Sequence, residues 1–512
     1  MRFREWAGAH WPTAFFVAVK VLLYGILGER YDYNGDELYF IACGARADFG
    51  YVDHPPLVPW LARLTDLLFG SELHALRLPG ALAGAGTMAL TLAITRNLGG
   101  GSFALGLAGL SMLAAPVYLR MGTILCVPVV ETFFWTLATY CTVRLVKDGC
   151  GAWWVGVGGA VGLGLLTKYS MVLWGLGTGV GLMLTSLRGH FGSRSLWLGA
   201  ALAATLIAPN IAWQARYGWP SLEFLRNIGR DQLEGIPRSL FLLGQVLYLH
   251  PVALPIWIAG LWRLLFGAGK AYKILAITFV TVLLAFLATH AKPYYLAPAY
   301  PPLIAAGAAQ IAEWSGRLEA RARVTCRLIT LVTLALGALV LAPLSLPVLS
   351  LEATDLWISR LVGISGVASS DLTFEFHHEY GWREQVAGIE GAYRSLSPDE
   401  RASCVVMAHT YAQASAINFF GNPTEGLPRA ISGHMTYYLW GPGHADPTVV
   451  IAIGMKRKVL RDLFAEVTAV AEVTHPLAVS AERDLTIHIC RQPLRPLRQA
   501  WPEQKRFRFR DP

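Results

Sequence analysis

Long apolar runs with short polar punctuation dominate the first 350 residues. Residues 99–143 hold only Arg120 and Glu131 as charged groups, 150–187 only Lys168, and 274–291 and 328–351 none. A helix crosses a bilayer with about 20 mostly apolar residues. Cut at polar or turn-like breaks, the runs predict eleven spans, at 12–28, 76–95, 102–119, 123–143, 152–167, 170–187, 196–213, 240–262, 274–290, 295–312 and 328–349, or up to thirteen if the longest are divided further. Two intervening segments, 29–75 and 214–239, are too long to be turns, and loops of that length are usually functional. Beyond residue 350 the pattern shortens. Trp382, Val386, Ile389 and Tyr393 recur at helical spacing, Tyr411–Phe420 reads as a second helix and Lys456–Phe464 as a third, while Cys404–Ala408, Val449–Gly454 and Leu485–Cys490 are strand-like. Strands alternating with helices predict a small soluble α/β domain over 351–490. An Arg- and Pro-rich tail, 491–512, is expected to be extended or frayed. The expected fold class is a polytopic α-helical membrane protein, its transmembrane part covering 1–350, with a C-terminal α/β domain. No internal repeat of fixed period is visible.

Composition narrows the class. Of the 512 residues 54% are hydrophobic and 15% charged, where a soluble protein is about a quarter charged; disordered, collagen-like and disulfide-scaffold classes fall away. The net charge of +9 invites a nucleic-acid partner, but its distribution argues against one. Residues 1–350 carry 26 Lys and Arg against 16 Asp and Glu, whereas 351–512 carry 17 against 18. Basic excess confined to the apolar part is the mark of cytoplasmic loops. With Arg2 and Arg4 ahead of the first span and no small-residue cleavage site after it, that helix is expected to be retained, its N-terminus cytoplasmic. The basic loops then fall inside: Arg96, Arg144 and Lys147, Arg188 and Arg194, Arg263 to Lys273, and Arg317 to Arg327. Both long segments and the C-terminal domain fall outside. The seven cysteines show no metal or redox spacing; Cys404 and Cys490, both in strand-like segments, are candidates for a pair.

Half of the membrane part's sixteen acids (Glu29, Asp32, Asp36, Glu37, Asp48, Asp53, Asp66 and Glu72) crowd the first outside segment. Asn34-Gly35 is a turn signal. Asp36 after it is either the cap of the next helix or a carboxylate at the water–membrane boundary, partly desolvated and so more basic, able to take a proton from an acceptor hydroxyl. Asp53-His54-Pro55-Pro56 opens a helix whose Leu57, Trp60, Leu61, Leu64, Leu67 and Leu68 form an interfacial face. Asp53 is that helix's cap or a functional group, and His54 a surface imidazole or its companion. Asp36, Glu37, Asp53 and His54 have the donor types for a divalent cation, without a ligand spacing that supports it. Lys168 and Lys292 stand at span ends, where lysines snorkel; lying outside, they would also suit a bound phosphate. His377-His378-Glu379 resembles metal ligands only superficially. The aromatic stretch Gly433–Gly443 is a carbohydrate surface or an interfacial patch.

In this order, Asp36-Glu37, Asp53-His54-Pro55-Pro56, Arg77-Leu78-Pro79, Thr167-Lys168-Tyr169 and Lys292-Pro293-Tyr294-Tyr295 resemble the GT-C membrane glycosyltransferases. Within them the likeness is to the bacterial protein-mannosyltransferase-like and aminoarabinose-transferase-like branch, glycosyltransferase family 39/83. It is good over residues 10–315 and looser beyond. It implies a GT-C fold and a hexosyl- or pentosyltransferase of the bacterial inner membrane. Such an enzyme takes a sugar from a polyprenyl-phosphate donor on the periplasmic side and passes it, with inversion, to a lipid, glycan or protein acceptor in cell-envelope biogenesis. The resemblance further implies that Asp36 is catalytic with Glu37 as its partner, and that Asp53, His54, Lys168, Tyr169, Lys292, Tyr294 and Tyr295 bind substrate. His54 departs from the pattern, since related transferases often have Lys after the acid. A metal stays open, and so do two other classes: a transporter or flippase, which would place ionisable groups mid-span in near-symmetric halves, and a non-catalytic envelope-assembly protein that binds lipid-linked glycans.

Overall fold

The computed structural model describes residues 2–233, 236–362, 373–422, 424, 426–443 and 446–509. The apolar runs become helices. These are α1 (Arg2–Leu27); α2 (Gly35–Ala45) and α3 (Leu57–Phe69) in the first long segment; α4 (Leu73–Asn97), α5 (Ser102–Ala114), α6 (Pro116–Met121), α7 (Val127–Asp148), α8 (Trp153–Leu165), α9 (Met171–Met183) and α10 (Arg194–Arg216); α11 (Pro220–Ile228) in the second; then α12 (Arg238–Leu247), α13 (Leu254–Leu265), α14 (Lys273–Ala288), α15 (Pro301–Gly316) and α16 (Ala320–Ser345). Several predicted spans are not single rods. The stretch 102–119 breaks at Ala115, which is extended because Pro116 holds its predecessor out of the helical region. The stretch 240–262 bends by 91° between α12 and α13. Among the described residues four helices are by themselves long and apolar enough to cross a membrane, or six if each sharply bent pair is one span. Helices α13 and α15 meet through Gly260 and Gly307, where a Cβ on either would run into the facing backbone, the close approach that small residues allow between membrane helices.

Helix α4 links the two ends of the bundle. At its C-terminal end the loops predicted to share the inside touch one another: Lys147 donates to the side chain of Asn97 (2.9 Å), and Arg263 donates to the Leu98 carbonyl (3.0 Å) and pairs with Glu313 (2.7 Å). At its N-terminal end Arg77 meets the first long segment. There α2 packs against the helix Tyr411–Phe420, so the first segment and the C-terminal part share one end of the molecule.

The C-terminal part is built on a five-stranded sheet of order β2-β1-β3-β5-β4, comprising β1 (Cys404–Ala408), β2 (Ala430–Ile431), β3 (Val449–Ile453), β4 (Phe464–Thr474) and β5 (Asp484–Pro493). Strand β1 runs parallel to β2 and β3, and β5 antiparallel to β3 and β4. The expected helix Lys456–Phe464 shrinks to Arg457–Arg461, and its last residue begins β4. That edge strand escaped the pattern because most of its side chains are exposed, leaving little alternation to detect. Cys404 and Cys490 are free thiols. Strand β3 lies between theirs, and two strand spacings of about 4.8 Å exceed the roughly 7 Å Cα limit for a bridge. The tail does not fray through residue 509. Trp501 stacks on Tyr438, Arg506 exchanges backbone hydrogen bonds with Gly433 and Met435, and Lys505 pairs with Glu223 at 2.6 Å.

Candidate active site around Asp36

The start of α2 sets the geometry. Asn34 is the cap: its side chain accepts from the Asp36 amide (3.0 Å), and Glu37 accepts from the Asn34 amide (2.9 Å), a reciprocal capping box. Asp36 is therefore not the cap, and its side chain is free for other work. Gly35 allows the C-terminal part to close over this turn. Its amide donates to the His378 carbonyl (3.1 Å), and a Cβ there would stand 2.6 Å from the His378 ring and 2.8 Å from Trp382. Asp36 accepts a hydrogen bond from the Tyr411 hydroxyl at 2.7 Å.

Glu37 has a different fate. Arg77 binds both its oxygens, at 2.9 and 2.7 Å, and the Leu125 amide adds a bond at 2.9 Å. With the Asn34 amide this occupies a fully buried carboxylate completely. Glu37 is thus a scaffold anchor, contrary to the expectation of a catalytic partner. Arg77 also pairs with Glu379 (3.0 Å), which Arg120 reaches from the other side (2.6 Å). Two arginines and two glutamates form a neutral buried chain joining α2, α4, α6 and the C-terminal part. Glu379 thus serves as an ion-pair bridge.

Asp53 accepts from the Tyr39 hydroxyl at 2.9 Å, and burial raises its carboxyl above the usual range, opposed by His54 and by that hydrogen bond. It does not cap α3, whose N-cap is Pro56. His54 is buried rather than on the surface, packed among Tyr39, Phe40 and Tyr51. Its Nδ1 faces the Pro55 carbonyl, and its Nε2 lies 3.9 Å from Asp53 without a hydrogen bond. Glu375 completes the acidic wall. Water reaches its side chain, and its carboxyl is raised by desolvation and by Asp36 nearby, with Arg120 opposing. Among the described residues no group of three or more His, Cys, Asp or Glu is arranged to hold a metal. Of the four residues with suitable donor types, Asp36, Glu37, Asp53 and His54, Glu37 is engaged by Arg77.

The basic residues divide likewise. Lys168 pairs with the buried Glu131 at 3.2 Å and sits 4.2 Å over the Tyr295 ring, with Tyr294 beside it. An internal carboxylate therefore accounts for Lys168 without a phosphate. Tyr169 bonds Asn210 and Gln214, both at 3.0 Å. Lys292 makes no ion pair with any described residue and remains available. The stretch Gly433–Gly443 contributes Thr436, Leu439 and Trp440 to a small cleft of about 30 Å³, shared with Asp48, Tyr51, Trp213 and Tyr217. Beside the cleft the Thr436 hydroxyl accepts hydrogen bonds from the Tyr39 hydroxyl (2.7 Å) and the Val52 amide (3.0 Å).

The family model for dolichyl-phosphate-mannose-protein mannosyltransferase matches residues 53–213. A lipid A galacturonosyltransferase, RgtD of Rhizobium johnstonii, is 24% identical over 270 residues, 51% of this chain and 57% of that protein. The chain thus aligns with little more than half of that relative. The solved structure of ArnT from Cupriavidus metallidurans bound to undecaprenyl phosphate superposes with a TM-score of 0.61 at 16% identity, covering 94% of this chain and 98% of that one. The chain has the GT-C fold of the ArnT and protein-mannosyltransferase type. The apo form of the same ArnT agrees, at a TM-score of 0.58 and 17% identity over 95% and 98% of the two chains. The GT-C resemblance drawn from the sequence is borne out, and with it a membrane protein with transmembrane helices.

Within this GT-C chain several site groups were not anticipated. Arg120 and Glu131 carried a signal, as the only charges in a 45-residue run, because an ionisable group in a span needs a partner. Arg77 stood in a quoted motif without a role. Glu375 and Tyr411 had none, since nothing local ties them to a residue more than 300 positions away.

Proposed function

We propose that this protein is an inverting glycosyltransferase of the bacterial inner membrane, moving a sugar from a polyprenyl-phosphate-linked donor to an acceptor bound at Asp36. The observation that carries it is that Asn34 caps α2 and Arg77 holds Glu37. Asp36 is thereby left as a partly exposed carboxylate with one side-chain partner, Tyr411. Asp36 takes the proton of the acceptor hydroxyl, the acceptor oxygen bonds the anomeric carbon, and the bond from that carbon to the donor phosphate oxygen breaks. Polyprenyl phosphate leaves with the electron pair. A placed base is worth about 10²–10⁴ in rate. Lys292, backed by the Lys168–Tyr295 pair, stabilises the charge gathering on the phosphate.

The donor class is supported by the undecaprenyl phosphate carried by the similar ArnT. The periplasmic placement of Asp36 is supported by the opposite end of α4, where the basic loops gather, since Lys and Arg mark the cytoplasmic side. The relative's activity makes polyprenyl-phosphate-linked galacturonate and lipid A the first donor and acceptor to test. The full chain in liposomes is given these, then other sugars with glycan and protein acceptors, beside Asp36→Asn. Transfer by the wild type that falls at least 100-fold in Asp36→Asn is expected; equal transfer by both refutes the base assignment.

A further inference from the structure

Asp36 lies in the first turn of α2, and backbone capping fixes its Cα but not its carboxylate. One oxygen accepts from the Tyr411 hydroxyl at 2.7 Å, and the other has no hydrogen-bond partner among the described residues. Tyr411 is itself held on several sides. It opens the helix Tyr411–Phe420 behind a Thr410–Gln413 capping box, and its amide donates to His434 Nδ1 at 3.2 Å. Its ring stacks on His434 (centroids 5.0 Å apart) and on Tyr39 (4.4 Å), with Phe509 of the tail at its edge. We propose that Tyr411, supplied by the C-terminal part, is a positioning residue for Asp36. It holds one carboxylate oxygen so that the other points at the acceptor hydroxyl. This inference rests on the reading of Asp36 as the base.

The chemistry of the contact suits the task. Burial, with Asp36, Asp53 and Glu375 nearby, holds the Tyr411 hydroxyl well above its ordinary range, so it stays a donor throughout the working pH range. The titratable groups facing the pair are Asp53 and Tyr39 from the membrane part and Glu375 and His434 from the C-terminal part. A donor at this distance favours the ionised carboxylate and restricts its rotation, and two ends of the chain build one reacting group.

The test uses the full chain in liposomes with the donor and acceptor that the wild type turns over. Tyr411→Phe keeps the ring and removes the donor. Expected are a kcat about tenfold lower, as for loss of one hydrogen bond to a charged group, a donor KM within about twofold, and an acid limb of the pH–kcat profile moved upward. Combined with Asp36→Asn the substitution produces no further fall. 3-Fluorotyrosine at position 411, a stronger donor of nearly the same shape, moves the acid limb the other way and serves as well if Tyr411→Phe does not accumulate. An unmoved acid limb in either variant, with Asp36→Asn inactive, overturns this inference and leaves the base assignment standing. Full activity of Asp36→Asn overturns both.

Discussion

Replacing Arg77 by methionine should strike a place where the membrane part and the C-terminal part are joined by buried charge. The side chain gives up bonds to Glu37 at 2.9 and 2.7 Å, to Glu379 at 3.0 Å, and to the carbonyls of Gly28 and Asp32 at 2.7 and 2.9 Å. Each charged bond is worth about 1.5–3 kcal/mol taken singly, but five bonds from one guanidinium do not add. Arg120 still compensates Glu379 at 2.6 Å, and Glu37 keeps only two amide donors. The loss therefore concentrates on one fully buried carboxylate without a counter-charge. Removing one partner of such a pair costs about 3–5 kcal/mol, a large share of a total stability of about 5–15 kcal/mol. Unfolding in detergent, followed by tryptophan fluorescence across Arg77→Met, Glu37→Gln and the double variant, measures this as a cycle. The double variant is expected to recover much of the loss, since a neutral pair needs no counter-charge. A single-variant cost below about 1 kcal/mol, or simple additivity, would refute the argument that these charges depend on one another.

Three further expectations follow from the same contacts. Gly35→Ala places a Cβ 2.6 Å from His378 and should cost about 1–3 kcal/mol, seen as a lower melting temperature and lower transfer activity. Lys292→Ala should weaken donor binding about tenfold, with less salt dependence than the wild type; Lys168→Ala should instead lower the melting temperature, because it strands Glu131. His434 accepts from the Tyr411 amide at Nδ1 and reaches the Arg508 carbonyl through Nε2, and burial with Arg506 nearby holds it well below its ordinary range. The unfolded chain then binds the extra proton. Stability from this site is complete above about pH 6.5 and drains away as pH falls below it, and melting curves at pH 7.5 and 5 should show a smaller gap in His434→Gln.

By itself the sequence determined whatever depends on neighbours a few positions apart. Apolar runs set the helices, the alternation after residue 350 set most of the sheet, and Asn34-Gly35 marked the turn before α2, although the cap that Asp36 could have supplied is Asn34 in the fold. The GT-C motifs were legible because their residues sit in short blocks in a fixed order. Tertiary structure decided which of those blocks' side chains are free to act. Glu37 and Asp36 are adjacent in the chain, and only folding gives the first to Arg77 and leaves the second beside Tyr411. Lys168 and Lys292 look alike as lysines at span ends, and only the packing of α7 supplies Glu131 to one of them. The reason is physical: a charge removed from water takes the best partner within reach, and that reach is set by packing between segments that the sequence holds hundreds of residues apart.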